Sequence, residues 1–86
     1  MKELEKTLKA LANGRRLAIL KFLKNTKEAT VGEIAENINL SFKATSRHLN
    51  VLANADILEK EQRSLQMFYR LPKKPLPVIR AFLSFL

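Results

Sequence analysis

The chain has no cysteine, a single histidine and two glycines. Without thiols there can be no disulfide, no thiolate-bound metal and no cysteine nucleophile. One imidazole is too few for a histidine zinc site unless carboxylates or a second chain contribute. Two glycines leave no phosphate-cradling loop, and neither a carboxylate pair nor a nucleophile–base set is apparent. An enzyme is therefore the remotest reading, and no cofactor and no metal are expected. Long apolar runs are missing too. Lys2, Glu3, Glu5, Lys6 and Lys9 interrupt any signal-peptide core. The apolar stretch Leu76 to Leu86 is about half the ~20 residues that a membrane span requires. The expectation is a soluble cytoplasmic protein with no membrane partner.

Acidic residues are absent from two long stretches, Asn37 to Ala55 and Gln62 to Leu86. The first contains Lys43, Arg47 and His48, and the second contains Arg63, Arg70, Lys73, Lys74 and Arg80. Acids gather instead at Glu28, Glu33, Glu36, Asp56, Glu59 and Glu61. Sixteen Lys and Arg against eight Asp and Glu give a formal charge of +8, and segregated charge of this size suggests a polyanionic partner. With 86 residues, 47% hydrophobic and 28% charged, the chain suits one small globular domain. So small a domain buries little of its own surface, which makes oligomerisation a reasonable source of further burial.

Apolar spacing at Leu4, Leu8, Leu11 and Ala12 predicts a helix over about 2–12, stopped by the turn-tolerant pair Asn13-Gly14. Leu17, Ile19, Leu20, Phe22 and Leu23 predict a broad-faced core helix over about 15–25. Ala29-Thr30 reads as a short extended link. Thr30 with Glu33 three residues on has the spacing of a capping box, and opens a helix burying Ile34, Ala35 and Ile38. Ser41 caps the next, which runs to about Asn54 with Thr45, Leu49 and Leu52 inward. Residues 57–61 and 66–71 suit two strands around a turn at 62–65, with Arg63 and Ser64 at its tip. Three prolines between Pro72 and Pro77 break the chain, and a last helix is expected to begin near Pro75 or Pro77.

The order is α-α-(β)-α-α-β-β-α, a mostly helical α+β fold with a small β-hairpin. The few residues between the third and fourth helices match a helix-turn-helix, and the hairpin behind them is a wing. The domain is expected to span 1–86 without division. Such a fourth helix fits the major groove, and its N-terminal turn meets base edges and phosphates. Here that turn offers Ser41, Phe42, Lys43, Ser46 and Arg47.

These segments resemble the ArsR-like (ArsR/SmtB) family of winged helix-turn-helix transcriptional regulators. The resemblance runs through Leu8-Lys9-Ala10-Leu11-Ala12-Asn13, Arg16-Leu17-Ala18-Ile19-Leu20 and Thr30-Val31-Gly32-Glu33-Ile34-Ala35. It is most specific in Leu40-Ser41 and Ser46-Arg47-His48-Leu49-Asn50-Val51-Leu52, and returns at Met67-Phe68-Tyr69-Arg70-Leu71. It implies a homodimeric repressor bound to double-stranded DNA, with two recognition helices in successive major grooves. It also implies dimerisation through the first and last helices, here Leu4, Leu8, Leu11, Ile79, Phe82, Leu83 and Leu86. Metal-sensing members carry cysteines at positions matching Thr30 and Gly32, and a second family site uses His and carboxylates on the last helix. Both ligand sets are missing here, and no effector is implied in their place.

The candidate DNA-binding residues are Ser41, Phe42, Lys43, Ser46, Arg47, His48 and Asn50 on the fourth helix, Arg63 on the wing, and Arg16. Several have a second reading. Lys43, Arg47 and Asn50 also suit a solvated helix face. His48 suits either a DNA contact or a local hydrogen bond, and a metal role lacks partners. Phe42 suits a thymine methyl or packing against the preceding turn. Of Arg15 and Arg16, one suits phosphate and the other an ion pair. Arg63 suits the minor groove or a phosphate. Tyr69 suits packing better than chemistry. The tail from Leu76 to Leu86 suits a dimer interface, or a helix folded over the first one. A winged helix used for protein interaction, docking through that tail, is the alternative to the DNA reading.

Overall fold

A computed structural model describes all residues from Met1 to Leu86. The elements in order are α1 (Lys2–Leu11), α2 (Gly14–Thr26), β1 (Glu28–Thr30), α3 (Val31–Ile38), α4 (Phe42–Asn54), β2 (Glu59–Arg63), β3 (Gln66–Arg70) and α5 (Pro77–Leu83). This is the winged helix-turn-helix order expected from the sequence.

Short-range side-chain bonds set most of the boundaries. Thr30 Oγ1 accepts from the Glu33 backbone N–H at 3.2 Å, while Glu33 Oε1 accepts from the Thr30 N–H at 2.8 Å. The expected capping box thus starts α3. Asn39 adopts the left-handed conformation (φ 55°) and ends it. Ser41 Oγ then accepts from the Ala44 N–H at 3.1 Å and starts α4. Asn13 and Gly14 behave differently from the expected left-handed stop. Asn13 is extended (φ −159°) and its side chain accepts from the Arg16 N–H, so it caps α2. Gly14 is the first residue of that helix. An N-cap leaves fewer orphan donors than a polar stop would, and α1 ends one residue earlier at Leu11.

The core is built round α2, whose Ile19, Leu20 and Leu23 are buried together with Ile34, Leu49, Leu52, Ile57 and Ile79. Full burial of such side chains stabilises by about 1.5–3 kcal/mol each before entropy is counted. Ile57 and Leu58, expected in the first wing strand, precede it. Asp56 turns left-handed (φ 58°) after α4. The Ile57 N–H then bonds to the Leu52 carbonyl at 2.9 Å, and both side chains enter the core.

The sheet is antiparallel in the order β1-β3-β2. The extended link at Ala29-Thr30 is therefore a third strand, with Ala29 opposite Tyr69. The hairpin turns at Ser64-Leu65, Ser64 taking a left-handed φ of 56°.

Two residues expected on the pairing surface belong to the core instead. Leu11 is only 3% exposed and Ile79 only 1%. Leu11 lies beside Ala10 on the inner side of α1, and Ile79 belongs to α5, which packs on α2. Lys24 Nζ donates to the Leu83 carbonyl at 2.9 Å and holds α5 in place. The last helix thus packs on α2. Leu4, Leu8, Phe82 and Phe85 remain exposed, and a groove of about 510 Å³ lined only by apolar residues runs between Leu8, Leu17, Phe82 and Phe85. No helix is long and apolar enough to cross a membrane.

Candidate nucleic-acid interface

Helix α4 has two chemically distinct sides. Thr45, Leu49 and Leu52 are buried, at the three- and four-residue spacing that keeps side chains on one face. Phe42, Lys43, Arg47 and Asn50 are exposed, and Ser46 is half-buried beside them. The helix contains no acid, and neither Lys43 nor Arg47 takes part in any ion pair. Their charges stand near the positive end of the helix dipole, so this end of α4 is electropositive twice over. Such a surface can hold phosphate by backbone N–H groups and cations, and offer hydroxyl and amide groups to base edges.

The other predicted residues divide. Arg16 is turned inward. Its Nε donates to the Ala10 carbonyl at 2.6 Å and its Nη2 to the Lys9 carbonyl at 3.3 Å, while Nη1 lies 3.2 Å from His48 Nδ1. The guanidinium therefore closes the C-terminal end of α1 and joins it to α4. His48 is half-buried on that flank, away from Lys43 and Arg47 in the helical register. Burial first, and then the charges of Arg16 and Arg15, hold its pKa below the usual imidazole value. A neutral ring can accept at Nδ1 from the guanidinium, and a protonated one cannot. Of the open readings for His48, the local hydrogen bond is the one the structure contains. Arg15 Nη1 donates to the Ile38 carbonyl at 3.1 Å, so it too is bound to backbone rather than to an acid.

Strand register sorts the wing into two faces. Side chains alternate along a strand, so Glu59, Glu61 and Arg63 share one face with Phe68, Arg70 and Glu28. Arg63 forms a bidentate pair with Glu28, at 2.8 and 3.0 Å, and bonds Glu61 at 3.1 Å. Its Cζ lies 4.4 Å from the centroid of the Phe68 ring. Arg70 Nη1 bonds Glu61 at 2.9 Å and its Nε bonds Glu59 at 3.3 Å. These donors hold the Glu61 carboxyl down at about 2 and lower that of Glu28, while the two arginines shift upward. Arg63 is thus not at the tip, where it was expected, but is the last residue of β2, inside a nearly neutral ion-pair network.

The opposite face of the hairpin meets α4. Tyr69 is buried there, which raises its pKa, and its hydroxyl reaches Asn50 Oδ1 at 3.5 Å, the outer limit of a hydrogen bond. That contact leaves the Asn50 N–H₂ free as an outward donor. Between α4 and the hairpin lies an open groove of about 430 Å³, bordered by Phe42, Ser46 and Asn50 on one bank and by Lys60, Leu65, Gln66 and Met67 on the other. Phe42 is 62% exposed, so it is presented to solvent and not packed on the preceding turn. Sequence reasoning missed Lys60 and Leu65. A strict reading of strand alternation with the correct first residue of β2 places Lys60 opposite Tyr69, and hence on the α4 side. Thr30 and Gly32 also border this groove, and Thr30 is engaged in its capping box.

Residues 13–60 match the family described as bacterial regulatory protein, arsR family. The transcriptional repressor SdpR of Bacillus subtilis is 35% identical over 63 residues, which is 73% of this chain and 69% of that protein. The solved structure of reduced HlyU from Vibrio cholerae superposes with a TM-score of 0.82 at 32% identity, covering 99% of this chain and 85% of that one. A homodimeric winged helix-turn-helix DNA-binding domain from Mycobacterium bovis, described as a possible ArsR-family regulator, superposes with a TM-score of 0.81 at 26% identity, covering 98% of this chain and 74% of that one.

Proposed function

Because the chain belongs to the arsR family of bacterial regulatory proteins, we propose that it is a sequence-specific DNA-binding transcriptional repressor that acts as a homodimer. The observation that carries this reading is the exposed side of α4, where Lys43, Ser46, Arg47 and Asn50 stand without one carboxylate on the helix. Ser41 caps the helix and leaves its N-terminal dipole facing the same way. Lys43 and Arg47 neutralise phosphates, while Ser46, Asn50 and Phe42 meet base edges and thymine methyls. The core stripe of Thr45, Leu49 and Leu52 holds these groups on a rigid element.

Two copies pair through the apolar surface formed by Leu4, Leu8, Phe82 and Phe85. Leu83 and Leu86 pack beneath it, and Leu11 and Ile79 support it from the core. That the Mycobacterium bovis relative is homodimeric supports pairing as such. Pairing sets the two α4 helices about one turn of DNA apart, roughly 34 Å, on a near-palindromic site. The bound dimer represses by covering that site, and the related SdpR is named a transcriptional repressor.

A binding titration over genomic fragments tests the proposal. One upstream region should bind at least a hundredfold more tightly than bulk DNA, with log affinity falling steeply against log salt. Equal affinity for every fragment removes the regulator reading, and a fusion of that region to a reporter decides the sign of regulation.

A further inference from the structure

We propose that the wing engages DNA through Lys60 and Leu65, on its α4-facing side, and that Arg63 is held out of the contact. The inference rests on the DNA-binding reading of α4 and specifies which groups extend it. A recognition helix in the major groove and a wing reaching the adjacent minor groove leave one sugar–phosphate strand between them. The groove between α4 and the hairpin is the place for that strand. It is open along its length, and its lining includes no acid. Its one cation is Lys60, which is exposed and takes part in no ion pair.

Leu65 stands at the outer end of this groove. It is 96% exposed on a two-residue turn, where a lone leucine would ordinarily mean little. Here it does not stand alone, because Phe42 and Met67 line the same groove. Large apolar side chains that share a groove with a lysine and no acid suit a DNA strand, in which charged phosphates separate apolar sugar and base surfaces. Apolar wedges at minor-groove steps are a known use of leucine side chains. The ion-pair face of the hairpin does the opposite. Glu28, Glu59 and Glu61 face Arg63 and Arg70, so that side has no net positive charge for phosphate.

Salt dependence separates these roles, because each phosphate neutralised by a cation adds about 0.9 to the slope of log affinity against log salt. The experiment uses the full chain on a non-specific 30-base-pair duplex and on its tightest genomic fragment. Lys60→Gln should lower the slope by about 0.9 on both. Leu65→Gln should weaken binding to the genomic fragment about tenfold and leave the slope unchanged, since the lost contact is apolar. Arg63→Gln should leave the slope unchanged, because Arg63 neutralises no phosphate, provided that the melting curve shows the hairpin still folded. Circular dichroism and a melting curve on each variant identify any that has failed to fold, and Lys60→Arg, which keeps the charge, should restore the slope. The proposal is overturned if Arg63→Gln lowers the slope as Lys60→Gln was expected to, if Lys60→Gln leaves it unchanged, or if Leu65→Gln binds like wild type. Failure of these variants with intact wild-type binding removes only the wing assignment. Absence of any wild-type duplex binding removes the DNA reading itself.

Discussion

Arg16 Nη1 and His48 Nδ1 meet at 3.2 Å across 32 positions of sequence, joining α2 to the flank of α4 that faces away from Lys43 and Arg47. The contact holds the recognition helix at its side while the end of α1 is closed by the same guanidinium. Of the two readings open for His48 the contact is the local hydrogen bond, and it engages Arg16 with α4 and the α1 carbonyls together.

The burial of His48, and after it the neighbouring charges of Arg16 and Arg15, make stability pH-dependent near neutrality. The folded chain lowers the His48 pKa, so the unfolded chain binds the proton first as pH falls. The contribution is fully present above the ordinary value of about 6.5 and is lost as pH drops from there toward the lower folded value. The melting midpoint should fall between pH 7.5 and 5.5, and His48→Gln should flatten that part of the curve. A wild-type midpoint constant across this interval would contradict it. The Glu28 and Glu61 carboxyls, also lowered, act below about 4.5 and do not confuse the result.

Thr45 is fully buried on the inner side of α4 and its Oγ1 has no hydrogen-bond partner. An unsatisfied buried hydroxyl costs about 1–3 kcal/mol, and valine has nearly the same shape without the polar atom. Thr45→Val should therefore stabilise the domain by about 1 kcal/mol. For a chain of this size that raises the midpoint by roughly 4–8 °C. A lower midpoint would mean that the hydroxyl has a partner in solution. DNA affinity should not change.

On the exposed side, Lys43→Gln and Arg47→Gln should each leave the unfolding free energy within about 0.5 kcal/mol of wild type, since neither side chain is paired or packed. Each should also reduce the salt slope of DNA binding by about 0.9 for every phosphate it contacts. Loss of a base contact by Arg47 would instead relax preference at one position of the site by about 1–3 kcal/mol. Gel-shift titrations against single-base variants of the site distinguish the two.

The apolar surface gives the last expectation. Light scattering should find twice the chain's 9.9 kDa at micromolar concentration. Phe82→Asp should give a folded monomer, because Phe82 is exposed in the single chain. Ile79→Asp should unfold the domain, because it places a charge in the core. A wild-type chain that remains monomeric at high concentration rejects the interface.

Most features with a local cause were legible in the sequence, the cap at Asn13 being the exception. The capping box of Thr30 and Glu33, the cap at Ser41, the inward stripe of Thr45, Leu49 and Leu52, and proline at the start of α5 all depend on residues a turn or less apart. The segregation of acids from α4 was likewise visible without coordinates. Tertiary structure decided what depends on partners distant along the chain. The pairing of β3 with β1, some forty residues away, and with β2 sets which side of the sheet Arg63 and Lys60 occupy. A strand has a period of two, so a one-residue slip in that register would exchange the faces of arginine and lysine, whereas the observed one turns Arg63 toward Glu28 and Lys60 toward the groove. Ile79 and Phe82 read alike as apolar residues of one short helix. Only the packing of α5 on α2 buries the first and leaves the second at the surface, because a helix presents different sides to its neighbours at each position.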